Sequence, residues 1–455
     1  MRRTKEQKAI TLIALIITIV VLLILATVAI NSVVNDGIIS HAGNATNKYN
    51  ESVVNEGPIL NEYLNYLDLN NGGSGSGLGD ATVGTKVTSL STINGQAYNE
   101  NNPVIPAGFI AINTTASSWD GADLAAEVKK GLVITDSVDS NGVSNGSEFV
   151  WIPVSNINNM IMCQTHGASV SLDQTTLQCP TCLSNTKLAG RLYCSKIESV
   201  YGTFNSLYSG QTYGLNTGLR EPDVVTEASG TDSTAGSSYD AANFTTVLEG
   251  DYANTKTAAS FKSQLESEFT KMAQSVAKYK GFYVGRYETS LSSDIAQSKS
   301  EETPMKSINW YNMYKNSKTY SRNNTELGVV SEMIWGCQYD AMLQLILTGP
   351  DASHVIATTN VGHISSEFTS KPYETGGTNY SEVSSGTTEY NDIASNIYDL
   401  EGNVREWTQE ARNTNGRVYR GGGYDLSRSP SYRHTNLPTG SSSIFGSRLS
   451  LYVGL

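Results

Sequence analysis

At 455 residues and 39% apolar composition, the chain is long enough for two or three domains and a sizeable core. Its net charge of −12 excludes a phosphate-neutralising surface, because nucleic-acid affinity comes mainly from clustered Lys and Arg, and no such cluster lies beyond the first eight residues. Abundant Gly, Asn, Ser, Thr and Tyr with few Lys suits an extracellular, loop-rich protein better than a cytosolic enzyme.

Arg2, Arg3, Lys5 and Lys8 precede an apolar run of twenty-one residues, Ile10 to Ile30. As a helix it reaches roughly 31 Å at ~1.5 Å per residue, enough to cross a bilayer core. The basic flank stays cytoplasmic, so a single-pass protein of a bacterial cell membrane with its head outside is expected. The run is too long for a secretory signal and lacks a small-residue cleavage site. Lys8-Ala9-Ile10-Thr11-Leu12-Ile13 resembles the type IV prepilin signature, which implies a leader over 1–9 cut between Ala9 and Ile10. The sequence departs from that signature at Ala9, where Gly is usual, and at Ala14, where pilins carry Glu. Incorporation in a pilus and a plain membrane anchor therefore both stay open.

Apolar residues at helical spacing continue to Leu69 but are broken at Asp36-Gly37 and Gly57-Pro58, so 10–70 reads as a transmembrane helix and a stalk of short helices. Gly and Ser dominate a flexible linker at 71–80, and 81–455 is the head.

Within the head, short strands are predicted at Val104 to Ile112, Leu132 to Thr135 and Glu148 to Val154, the last two flanking an Asp-Ser-Asn-Gly turn at 139–142. Ala258 to Lys280 is predicted helical, with Phe261, Leu265, Phe269, Met272 and Val276 on one face. A second helix is expected from Ser331, carrying Ile334, Cys337, Ala341, Met342 and Leu345. Two helices against antiparallel sheets give an α+β fold class. Polar stretches at 225–256 and 364–390 read as surface insertions, with His354 and His363 solvated nearby.

An inserted segment at about 155–257 holds Cys163, His166, Cys179 and Cys182 in C-x2-H and C-x2-C pairs separated by twelve residues. That spacing lets four ligands converge on a structural zinc. Disulfides, with Cys194 as a further partner, are the alternative. Cys337 lies on an apolar helical face and reads as a buried thiol.

The C-terminal stretch from Asp399 to Val453 contains Gly402-Asn403-Val404-Arg405-Glu406-Trp407, Arg420-Gly421-Gly422-Gly423 and Gly446-Ser447-Arg448. With Gly281 to Glu288, Pro304 to Trp310 and Ser331 to Trp335 upstream, these motifs resemble, in order, those of the formylglycine-generating enzyme (sulfatase-modifying factor) family, a variant of the C-type lectin fold. The resemblance covers about Val104 to Val453. It implies a C-type lectin-like head, scaffold roles for Arg420, Arg433 and Arg448, and calcium at Asp399, Gly402, Val404 and Glu406, although Glu406 has Arg405, Arg420 and Arg433 as alternative partners. It also implies copper-dependent cysteine oxidation by C-terminal thiols, but Gln338 to Leu455 contains no cysteine, so no enzyme activity of that kind is expected. A triad of His434, Asp425 and a serine is discounted, because serine is too common here to be a signal.

Between Gly423 and Gly446 there is no apolar period of either kind. Tyr424, Asp425, Leu426, Ser427, Arg428, Ser429, Tyr432, His434, Thr435, Asn436, Leu437, Ser441, Ser442, Ser443, Ile444 and Phe445 have the composition of a paratope. They are expected to face an extracellular protein or glycan ligand. The arrangement also resembles the variable proteins of diversity-generating retroelements, which place a mutagenised region here on this fold. Replacing Tyr424, Tyr432 and Phe445 with Ala is expected to remove binding without loss of stability.

Overall fold

The computed structural model describes residues 78–455 apart from 122, 164, 167–169, 184–187, 191–244, 255, 353–384, 386–392, 401, 414–415, 425–429 and 431. The leader, membrane helix and stalk expectations lie outside the described residues. Among those described, no helix is long and apolar enough to cross a membrane. The compact unit holding the head runs from Gly77 to Leu455.

A short parallel pair, β1 (Gly79–Ala81) and β2 (Ser91–Ile93), opens the head, followed by β3 (Ile110–Ile112), α1 (Leu124–Lys130), β4 (Val133–Thr135) and β5 (Glu148–Pro153). The inserted segment contributes the hairpin β6 (Ile161–Cys163) and β7 (Leu188–Gly190). Then come α2 (Ala258–Tyr279), β8 (Gly281–Gly285), the hairpin β9 (Ser290–Ser292) and β10 (Ile295–Gln297), α3 (Trp310–Ser317), α4 (Thr319–Asn323), β11 (Val329–Met333) and α5 (Gly336–Thr348). The chain closes with the pair β12 (Ile393–Ala394) and β13 (Ile397–Tyr398), then β14 (Arg405–Asn413), β15 (Gly416–Arg420), β16 (Arg433–Asn436), β17 (Phe445–Ser447) and β18 (Leu449–Val453).

Two sheets organise these elements into a mixed α+β fold. One is six-stranded and antiparallel, in the order β11-β18-β8-β5-β4-β3, and the other is four-stranded, β16-β15-β14-β17, with β14 and β17 parallel. Phe149, Val150, Trp151 and Ile152 are all buried in β5, as expected of a central strand covered on both faces. The apolar stripe of α2 lies against the large sheet, with Phe261, Leu265, Phe269, Met272 and Val276 each 0% exposed. Thr257 and Ser260 cap its start reciprocally, and Lys280 ends it in the left-handed conformation at φ 65°. Ser275 Oγ then donates to Val453 O at 2.8 Å, tying α2 to the edge of β18.

Three expectations are corrected. The strand read over Val104 to Ile112 is only β3, because Phe109 N closes a turn on Pro106 O (3.2 Å) across Gly108, whose φ of 82° suits glycine. The helix expected from Ser331 begins five residues later. Val329 to Met333 instead pair along β18, and Glu332 accepts from Trp335 Nε1 (2.8 Å) and Tyr452 OH (2.9 Å) to fix the strand-to-helix corner. The stretch 225–256 is not wholly surface: Val247 and Leu248 are buried, with Val247 O taking a bond from Gln264 Nε2 (3.0 Å). Within 364–390 only Ser385 is described, and it too is buried. The helix α3, capped by Asn309, had no counterpart among the predicted elements.

Candidate functional site

The four-stranded sheet is held from beneath by arginines. Arg417, Arg420, Arg433 and Arg448 rank among the largest fully buried side chains. Arg420 Nη2 and Arg433 Nη2 both donate to Asp340 on α5, at 2.6 and 3.0 Å, and Arg433 Nε lies 3.1 Å from Glu410 of β14. Arg417 donates to Gln409 O (2.7 Å) and stacks over Trp310, 4.2 Å from the ring centroid. Trp310 in turn donates from Nε1 to Thr408 O (2.7 Å) and from its backbone N to Pro438 O (3.0 Å). A buried ion is costly unless paired and hydrogen-bonded, so these pairs fix the sheet and both ends of the segment between β15 and β17.

Above this frame the side chains turn toward solvent. Tyr424, Tyr432, His434, Thr435, Asn436, Leu437, Ser442 and Ile444 are half-buried, and Ser441 and Ser443 are exposed. The Tyr432 and His434 rings are near-parallel at 6° with centroids 6.0 Å apart, and Tyr419 OH meets His434 Nδ1 at 3.1 Å. The Tyr424 and Ser443 hydroxyls pair at 2.6 Å, bridging the two ends of the segment. Its last turn is pinned by Ser307 N on Ser442 O (3.1 Å) and Arg405 N on Ile444 O (2.8 Å). The structure thus places these residues on the edge strand β16 and on the turns that follow β15 and precede β17, the opposite edge strand, while Asp425, Leu426, Ser427, Arg428 and Ser429 lie outside the described residues.

Phe445 is the exception and is corrected. It is 3% exposed and packs on Trp407 and Tyr419, both at 4.9 Å between centroids, because β17 pairs with β14 and turns this side chain into the core.

At the residues named for calcium, Asp399, Gly402, Val404 and Glu406, the Asp399 and Glu406 side chains and the Val404 N–H already have protein partners. Glu406 Oε1 takes both Nε (2.9 Å) and Nη2 of Arg448, a partner not among the three anticipated. Asp399 accepts from the Ser385 hydroxyl, and Val404 donates its N–H to Glu288 (3.0 Å). Burial, with the nearby charges of Asp399 and Glu406, holds Glu288 well above the usual carboxylate range.

Cys163, His166, Cys179 and Cys182 do converge. Their ligand atoms all lie within 4.8 Å of one another. Cys163 and Cys182 Sγ are 3.8 Å apart, and His166 Nδ1 is 3.6, 3.3 and 3.3 Å from Cys163, Cys179 and Cys182. A tetrahedral zinc with bonds of about 2.3 Å to sulfur and 2.0 Å to nitrogen has S–S and S–N edges of roughly 3.8 and 3.5 Å, so the set fits a metal of that size. A disulfide needs about 2.05 Å, and Cys163, Cys179 and Cys182 are free thiols here. Burial alone would raise the Cys179 thiol, but backbone hydrogen bonds from Cys182 and Thr181 take it down to about 6. Cys194 lies outside the described residues, and Cys337 is buried on α5 as expected.

Asp340, Glu410 and Glu288 were missed in the sequence. Glu410 lies three residues beyond Trp407 on the same strand, which was a readable signal; Asp340, within an apolar helix, offered only its own improbability. Burial raises Glu410 to about 7 against the pull of Arg433 and Arg420, and burial with the charge of Glu268 raises Glu332 to about 7 against Lys318. The folded state therefore keeps protons that unfolded carboxylates release near a pKa of about 4.3. This contribution to stability is complete below that value and is lost as pH rises through about 7. The melting temperature should thus fall more steeply between pH 5 and 8 in the native protein than in the Glu332→Gln, Glu410→Gln double variant. Equal slopes would show that the two carboxyls are ionised in the fold.

Neither a known protein family nor a curated protein matches the chain. Among solved structures, CarF is similar over 38% of this chain and 87% of its own, at 13% identity and a TM-score of 0.28. PvdO from Pseudomonas aeruginosa is similar over 38% of this chain and 81% of its own, at 14% identity and a TM-score of 0.22.

Proposed function

We propose that the chain is a cell-surface ligand-binding protein, a receptor or adhesin, anchored through its pilin-like N-terminal helix. Its head is read as C-type lectin-like, of the formylglycine-generating type. Tyr424, Tyr432, His434 to Leu437 and Ser441 to Ile444 meet an extracellular protein or glycan. The supporting observation is a contrast in the four-stranded sheet and its connecting turns: paired, fully buried Arg420 and Arg433 within it, and half-exposed aromatic, amide and hydroxyl groups on β16 and in the turns after β15 and before β17. Such a frame lets side chains be exchanged without refolding, which suits the resemblance to retroelement-diversified proteins. Thiol oxidation is not favoured, since Gln338 to Leu455 has no cysteine and Cys337 is buried. The inserted Cys/His group is read as a zinc staple for the segment that carries β6 and β7, whose Ile157, Ile161, Leu177 and Leu188 pack into the main core.

The test is binding of the full chain to glycan and extracellular-protein arrays, in native form and as the Tyr424→Ala, Tyr432→Ala, Asn436→Ala variant. A ligand held by the native protein should be lost from the variant, with the melting temperature little changed. Undiminished binding would remove this surface from the function.

A further inference from the structure

Cys163 and Cys182 differ in how firmly the fold holds them. Cys163 ends β6, is paired with Leu188 of β7 and is buried. Cys182 is half-buried in a turn closed by Leu183 N on Cys179 O (2.7 Å), and the next side chain, Leu183, is 77% exposed. Their sulfurs are 3.8 Å apart, so a disulfide of about 2.05 Å requires a shift of roughly 1.7 Å, within reach of a side-chain rotation in a surface turn. Cys179 is 0% exposed, leaving Cys182 the most accessible of the three thiols to a dissolved oxidant.

We propose that Cys182 is a site of oxidative modification guarded by the metal: loaded with zinc, the centre is a closed staple, and emptied, it is converted by a hydroperoxide to a Cys163–Cys182 disulfide that cannot take the metal back. This rests on the zinc reading of the four ligands. In the first step the Cys182 thiolate attacks one peroxide oxygen, the O–O bond breaks, and the departing hydroxide takes a proton to become water, leaving a sulfenic acid. The Cys163 thiolate then attacks the Cys182 sulfur, the S–O bond breaks, and the second hydroxide leaves as water after protonation. Two thiolates have given up two electrons, hydrogen peroxide has accepted two, and two protons have been consumed. Only Cys179 and His166 remain of a four-ligand set, too few for a closed tetrahedral site. A head that works outside the cell must then acquire its zinc before it meets oxidant.

The experiment uses the full chain purified with zinc. Metal content is measured first, hydrogen peroxide is then added with and without a chelator, and disulfides are mapped by peptide mass spectrometry. The expected results are one zinc per chain, reduced cysteines while the metal is bound, and after chelation a Cys163–Cys182 disulfide with loss of zinc rebinding until a thiol reductant is added. Cys182→Ser should form no disulfide at Cys163. A chain that binds no zinc while its cysteines are reduced overturns the zinc reading itself. A zinc-binding chain whose chelated form stays reduced, or pairs Cys182 with any cysteine other than Cys163, overturns the inference alone.

Discussion

Asp340→Ala is expected to cost about 3–5 kcal/mol, as measured by chemical denaturation of the full chain, because it strands the buried Arg420 guanidinium and takes one of two acid partners from Arg433. Arg420 and Arg433 are each 1% exposed and share the two oxygens of this carboxylate, at 2.6 and 3.0 Å. Arg433 keeps a second acid in Glu410; Arg420 has no other ion pair among the described residues. Since a domain of this kind holds only about 5–15 kcal/mol in total, a loss of that size takes a large fraction of its stability. Arg433 is also the first residue of β16, so the edge carrying Tyr432 and His434 loosens with it. Asp340→Asn keeps an acceptor and should fall between the two. A cost below about 1 kcal/mol for the alanine variant would mean that water reaches these arginines and the frame is not dry.

The parts of the head legible in the sequence are those where pattern and packing agree. The stripe of Phe261, Leu265, Phe269, Met272 and Val276 announces α2 because every one of them is buried, and the Asp139 to Gly142 turn is fixed by its own side chain, with Asp139 Oδ1 accepting from Asn141 N (2.8 Å) and Val143 N (2.9 Å). The four metal-type ligands were readable for a similar reason: knuckle spacing is a local property, and the fold merely brings the two halves together. What escaped notice was decided by distant partners. Ser331 to Met333 looks like the approach to a helix until β18 pairs with it from more than a hundred residues away. Glu406 has three arginines near it in the sequence, and only the coordinates show that Arg448, more than forty residues on, is the one that reaches it. Phe445 belongs to the same class. As the last aromatic of a polar, aperiodic run it reads as part of the display, yet its neighbour Gly446 is in register with Glu406, and the parallel pairing with β14 assigns it to the interior.

That reassignment reverses an expected phenotype. Phe445→Ala is predicted to destabilise the head by about 3–5 kcal/mol, since removing a fully buried ring loses its transfer energy and leaves a cavity. The ring touches Trp407 and Tyr419 at 4.9 Å each, and Trp407 is itself 0% exposed, so neighbouring side chains have little freedom to collapse into the gap. Phe445→Leu keeps most of the volume and should cost under about 1.5 kcal/mol. Tyr424→Ala makes the informative contrast. Tyr424 is half-buried and its hydroxyl meets the exposed Ser443, so its removal exchanges a protein hydrogen bond for one to water and should cost about 1 kcal/mol or less. Denaturant midpoints for the three variants, compared at constant m-value, separate frame from display. If Phe445→Ala and Tyr424→Ala prove equally mild, Phe445 belongs to the outer surface after all, and the boundary between the fixed sheet and the exchangeable segment moves one residue toward Arg448.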